Sequence, residues 1–173
     1  MPTDNTFVQI GSTVTVGGGG AATISFTSIP ATYTDLKLVM SLRNDGTAGG
    51  IENVVNLSLN GSTANLANRV LYSDGSTAGA YSGSGYGGWT VESPATANTF
   101  ANNFIYIPNY ASATYKSYSF NGVVENNAAA GKVSLMGGLW SNTAAITSIS
   151  IASRSTFLWV QYSTASLYGI LKY

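Results

Sequence analysis

The sequence predicts an all-β fold, a single antiparallel β-sandwich of jelly-roll type with about eight to ten strands. Three observations predict it. Apolar and polar residues alternate at a period of two in run after run. Dipeptides that tolerate positive φ separate those runs. The composition of this 173-residue chain, with 45% hydrophobic and 12% aromatic residues but only 8% charged ones, leaves Ser, Thr, Asn and Gly as the polar remainder. That mixture favours strands and turns over helices.

The elements follow in order. Phe7 to Val16 is a polar, alternating stretch, and Gly17 to Gly20 is a hinge. Residues 1–20 therefore predict an N-terminal arm ahead of a sandwich domain over 21–173. Phe7, Val8 and Ile10 are its candidate contact residues, placed to pair with an edge strand of a neighbouring subunit. Ala22, Ile24 and Phe26 then share one face of a strand. Leu36, Leu38, Met40 and Leu42 share one face of the next, with Lys37, Ser41 and Arg43 on its wet side. Val55, Leu57 and Leu59 repeat the pattern, as do Val133, Leu135 and Leu139, and finally Ile149 and Ile151.

Asp45-Gly46, Asn60-Gly61, Asp74-Gly75 and Asn121-Gly122 are the predicted turns, and Pro30 and Pro108 close two apolar runs. Ser62 to Leu71 could hold one helical turn, with Leu66 and Val70 four apart. Gly75 to Gly88 reads as a long loop or irregular edge.

Composition also bounds the chemistry. Seven basic residues balance seven acidic ones without clustering, so no nucleic-acid partner is expected. There is no cysteine or histidine, which removes thiol chemistry, disulfides and the usual zinc ligands. No apolar stretch nears the roughly 18 residues that span a bilayer, and the start, Met1-Pro2-Thr3-Asp4-Asn5, has no signal-peptide pattern. Neither a membrane partner nor export is expected.

Glu52, Glu92 and Glu125 are the carboxylates a hydrolase would pair, but no local motif joins them. No Ser-x-x-Lys occurs, and Gly17 to Gly20 lacks the Lys-Ser/Thr ending of a phosphate loop. Asp45 with Asn44, or Asp74 with Ser73 and Ser76, offers oxygen ligands for calcium, though one carboxylate per loop suits turn chemistry better. A non-enzymatic protein with no cofactor is the expectation.

The aromatic residues carry more information. Tyr81, Tyr86 and Trp89 lie in a Gly-rich segment too open to bury them locally, which makes them contact candidates for a protein or a sugar ring. Tyr110 and Tyr115, near the Pro108 turn, join them, whereas Tyr106 and Tyr118 read as core or sheet-face residues.

Several phrases carry a resemblance: Ser28-Ile29-Pro30 with Thr32 to Leu38, Ile107-Pro108-Asn109-Tyr110-Ala111, Gly138-Leu139-Trp140 with Thr143 to Ile149, and Ser166-Leu167-Tyr168-Gly169-Ile170. Together they resemble small virion surface proteins of marine and freshwater tailed phages, either capsid decoration proteins or tail-fibre end domains. The resemblance implies a β-sandwich located in the virion, assembled in the host cytoplasm, with the major capsid protein and other virion subunits as partners. It brings no catalytic residues. A homo-oligomer is expected, with a trimer the first guess, and a host glycan is the partner under the fibre alternative. The short chain favours decoration.

Overall fold

The computed structural model describes residues 6–47, 52–125, 127 and 131–171, with residue 52 described by its backbone alone. Among them are twelve strands and no helix. In chain order they are β1 (Phe7–Thr15), β2 (Thr23–Phe26), β3 (Asp35–Leu42), β4 (Glu52–Leu59), β5 (Leu66–Ser73) and β6 (Ala78–Gly83). Then follow β7 (Tyr86–Val91), β8 (Ala101–Ile107), β9 (Lys116–Val124), β10 (Lys132–Trp140), β11 (Ile149–Ser153) and β12 (Thr164–Ile170).

The strands form two antiparallel sheets. One has eight strands in the order β1-β12-β3-β8-β9-β10-β5-β6, the other four in the order β2-β11-β4-β7. The jelly-roll character lies in that order. With β1 and β12 set aside and the β8–β9–β10 meander taken as one element, the smaller sheet holds the first, eighth, third and sixth elements. The larger holds the second, seventh, fourth and fifth, which is the arrangement of two interlocked Greek keys.

The two inner faces meet in a main core, with a smaller cluster of Val91, Ala95, Ala101 and Val124 beside it. Leu36, Leu38, Met40 and Leu42 of β3, Phe120 of β9 and Trp140 of β10 face Ile24, Leu57, Leu59 and Ile151 of the smaller sheet, all of them buried. Each fully buried side chain of this kind contributes roughly 1.5–3 kcal/mol relative to exposure.

Several expectations are corrected. The strand count exceeds eight to ten because the meander, the β1–β12 pair and the glycine-rich segment all add strands. Residues 7–15 are no free arm. Phe7 pairs with Ile170 and Thr15 with Thr164, so the stretch is the edge strand of the chain's own sheet. The hinge at 17–20 is closed by a Gly20 N–H to Gly17 carbonyl bond of 3.0 Å. Leu66 to Ser73 is a strand rather than a helical turn, because Leu66 and Val70 are held by pairing with β10.

Asn121-Gly122 is no turn either. It lies inside β9, where Gly122 passes beneath the Phe120 ring. A Cβ there would stand 2.3 Å from both Phe120 Cζ and Asn103 Oδ1. The same steric demand places other strand glycines. Gly79 pairs with Tyr72, and Gly138 with Tyr118, and in each case the ring covers the glycine, so that an added Cβ would fall within 2.5 Å of it. This packing makes the 75–88 stretch, expected as a long loop or an irregular edge, into β6, an edge strand of the larger sheet, and the start of β7.

Candidate functional site

Most buried ionisable groups are engaged in holding the fold. Arg43, expected on a wet strand face, is only 9% exposed, because β3 ends at Leu42 and the alternation lapses there. Its Nη1 donates to the carbonyls of Thr96 (2.9 Å) and Thr99 (3.1 Å), and Nη2 to those of Ser93 and Ala95, both at 3.0 Å. Burial lowers its pKa without threatening the charge. One guanidinium thus folds the 93–99 loop around itself.

Lys116 is buried in the same manner. Its Nζ donates to the carbonyls of Ser112 (2.7 Å), Ala144 (2.6 Å) and Asn142 (3.3 Å), which ties the β8–β9 connection to the segment after β10. Burial lowers the Lys116 pKa. Three donors meet three carbonyls, which makes the ammonium a structural pin.

The carboxylates serve separate local ends. Glu92 is fully buried, and its Oε1 accepts from Asn53 Nδ2 at 2.7 Å. Glu125 is exposed and accepts from the Asn127 N–H at 2.8 Å. Backbone pairing sets Glu52 opposite Val91. Among the described residues no three His, Cys, Asp or Glu side chains gather as metal ligands would. Asp74 Oδ1 is occupied by the N–H groups of Ser76 (2.9 Å) and Thr77 (2.6 Å), bonds that lower its pKa, and Asp45 Oδ1 accepts from the Leu158 N–H. The Asp74 loop is thus a turn closed by its own side chain, and Asp45 ties the loop after β3 to the segment that follows β11.

The contact candidates fall into two groups. Tyr110 is corrected. It is fully buried, and its hydroxyl donates to the Pro30 carbonyl while accepting from the Tyr33 N–H at 3.4 Å. Val8 and Ile10 are half-buried in β1. Phe7 and Tyr115 are exposed.

Tyr81, Tyr86 and Trp89 do come together. The Tyr81 ring centroid lies 6.0 Å from Tyr86 and 6.4 Å from Trp89, in edge-on arrangements, and 6.1 Å from Tyr72. Lys132 Nζ stands 3.7 Å from the Trp89 centroid and 4.7 Å from that of Tyr72. The cluster bridges β5, β6 and β10 of the larger sheet to β7 of the smaller one, and its rings are half-buried. Much of their surface is therefore spent on one another.

A second surface escaped the sequence reading. On the outer face of the larger sheet Leu71 is 60% exposed, Val133 59% and Leu135 51%, with Val123 and Leu139 also exposed. Leu135 stands opposite Leu71, and Val133 opposite Val123. The four form one apolar patch across β9, β10 and β5. Periodicity had marked Val133, Leu135 and Leu139 as core, but the chain buries Met136 and Trp140 instead, on the other face of β10. The available signal was that β10 has large apolar residues on both faces around its glycine pair.

No known family model matches the chain, and no curated protein is similar enough to count as a relative.

Proposed function

We propose that this chain is a structural component of a tailed-phage virion, a capsid decoration protein that works through the surfaces its sheets present. The carrying observation is the apolar patch of Leu71, Val123, Val133 and Leu135 on an outer sheet face, where an antiparallel sandwich ordinarily shows water a polar surface. Two further observations support it. Arg43, Lys116 and Glu92 are bonded into the fold rather than aimed at a common cleft. The sequence phrases around Pro30, Pro108, Trp140 and Gly169 resemble tailed-phage surface proteins.

The work is mechanical. A decoration protein buries surface against the major capsid protein or neighbouring subunits and so raises the cost of rupture. A standard interface of about 1,600 Å² per contact is multiplied by particle symmetry. With 8% charged residues the chain loses few hydrated ions when it packs. Quantitative mass spectrometry of purified particles tests this, with on the order of hundreds of copies per particle expected from head symmetry. Absence from particles would refute it.

A second proposal, a glycan-binding module on a fibre, draws on the Tyr72, Tyr81 and Trp89 cluster with Lys132 at its side. It requires about a dozen copies or fewer, and glycan binding that Trp89→Ala removes.

A further inference from the structure

We infer that two copies of this chain pack face to face through the outer surface of the eight-stranded sheet. The inference shares its apolar patch with the virion proposal and names a second copy as what covers it; because such a dimer could form in any setting, its failure would leave the virion proposal to the copy-number measurement. It starts from a contrast between the two outer faces of one sandwich. The smaller sheet turns Thr23, Ser25, Asn56 and Ser58 outward, with Ser25 Oγ donating to Ser150 Oγ at 3.1 Å. The larger sheet turns Leu71, Val133, Leu135 and Val123 outward instead. The patch extends along one cross-strand row, from Ala80 through Leu71, Leu135 and Asn121 to Phe104 and Val39. A row of this kind on a wet face costs solubility unless something covers it.

A second copy fits that requirement on three counts. Area is the first. Eight strands about 4.8 Å apart, each about seven to eight residues long at about 3.3 Å and turning every second side chain outward, give a face of roughly 900–1,000 Å². A stable interface needs about 800 Å² from each partner. Charge is the second. Two cations stand on the face, Lys37 on β3 and Arg69 on β5, and both are folded down. Lys37 Nζ lies 4.7 Å from the Phe104 ring centroid, and Arg69 Nη1 donates to the Asn68 carbonyl at 3.1 Å.

Symmetry is the third. A twofold crossing the strands at Leu135 would keep all eight strands in the contact and set Arg69 over Ser73, which pairs with Val133. It separates the two guanidiniums and stacks Leu135 on Leu135. Gly137, beside Leu135 and with open space where a Cβ would point, then leaves room for the second copy's Val133. Two opposed sheets make a pairwise contact, so a dimer replaces the trimer guessed from sequence.

The experiment is light scattering on the eluting full chain. At micromolar concentration the expected mass is twice the 17.9 kDa chain, and Leu71→Lys with Leu135→Lys should reduce it to one chain with an unchanged circular dichroism spectrum. Should that variant misfold, the absence of native cysteine allows a direct alternative. Leu135→Cys treated with a short bis-maleimide should give a covalent dimer, whereas Thr23→Cys, on the polar outer face, should not. A wild-type monomer or trimer, or a dimer that crosslinks through Thr23→Cys and not Leu135→Cys, would overturn the inference.

Discussion

Leu71 on β5 and Leu135 on β10 stand directly opposite one another, and both point away from the core. Their neighbours along each strand, Val70 and Met136, are also paired and are buried at 3% and 2% exposure. Two adjacent ladder positions therefore carry large apolar residues on both sides of one sheet. The inner pair accounts for folding. The outer pair lacks that role in the isolated chain, and it defines the surface through which we expect the protein to act.

Stability should separate the two. Leu71→Ser with Leu135→Ser should move the monomer's unfolding free energy by less than about 0.5 kcal/mol per site, as for ordinary surface positions. Leu38→Ala, in the buried core, should cost about 2–5 kcal/mol through lost transfer energy and a residual cavity. Urea titrations, followed by tryptophan fluorescence under conditions where the chain is monomeric, give both numbers.

The glycine pair of β10 offers a sharper contrast. At Gly137 a Cβ meets nothing within 4 Å, whereas at Gly138 it would lie 2.1 Å from Tyr118 Cζ. Gly137→Ala should be neutral or stabilising by up to about 1 kcal/mol, through the unfolded chain's lost freedom. Gly138→Ala must push the Tyr118 ring and should cost about 1–3 kcal/mol. Equal responses from the two variants would contradict the ring-over-glycine packing.

What the sequence made legible, and what it hid, divides along that packing. The alternation of Leu36, Leu38, Met40 and Leu42 places β3 and its buried face correctly, because one-sided burial writes a period-two pattern. β10 breaks the rule. Its outer face is as apolar as its inner one, so periodicity alone assigned Val133 and Leu135 to the core. Asn121-Gly122 reads as a turn, and the 75–88 segment as a long loop or irregular edge, because glycine usually marks a break. In this chain, glycine in a strand makes room for a tyrosine or phenylalanine from a neighbouring position, a pairing that only the three-dimensional register reveals. Tyr110 misled for a related reason, since its partners Tyr33 and Pro30 lie far away in sequence. Tyr81, Tyr86 and Trp89, expected as contact residues, do lie together, and their contacts are largely with one another.

Arg43 should prove irreplaceable by lysine. Its two terminal nitrogens reach four carbonyls of the 93–99 loop, a span that a single ammonium cannot cover. Arg43→Lys should lower stability by about 1–3 kcal/mol, the cost of leaving buried acceptors unpaired. It should also expose residues 93–99 to limited proteolysis, which the wild-type protein is expected to resist. A variant as resistant as wild type would show that the loop is held otherwise.

Alkaline pH should weaken the fold. Burial pushes the Tyr118 hydroxyl up to about 12, and the bond to Asp35 does the same for Tyr106. In the unfolded chain both titrate near 10. Folded-state values above unfolded ones mean that the stabilisation is complete below about pH 10. It is then lost progressively as pH rises towards about 12. Tyr118→Phe should flatten that decline. At neutral pH it should cost about 1–3 kcal/mol, because Asn68 Nδ2, now 2.6 Å from the hydroxyl, loses its acceptor. Urea midpoints measured from pH 7 to pH 12 on both proteins give the comparison.

The most direct measurement is a cryo-electron microscopy map of the phage particle to which the chain is proposed to belong. Density for the sandwich should decorate the head, with the outer face of the eight-stranded sheet, around Leu71 and Leu135, closed against another protein surface. A map in which that face looks into solvent, or in which the chain is missing from the particle, would contradict the account.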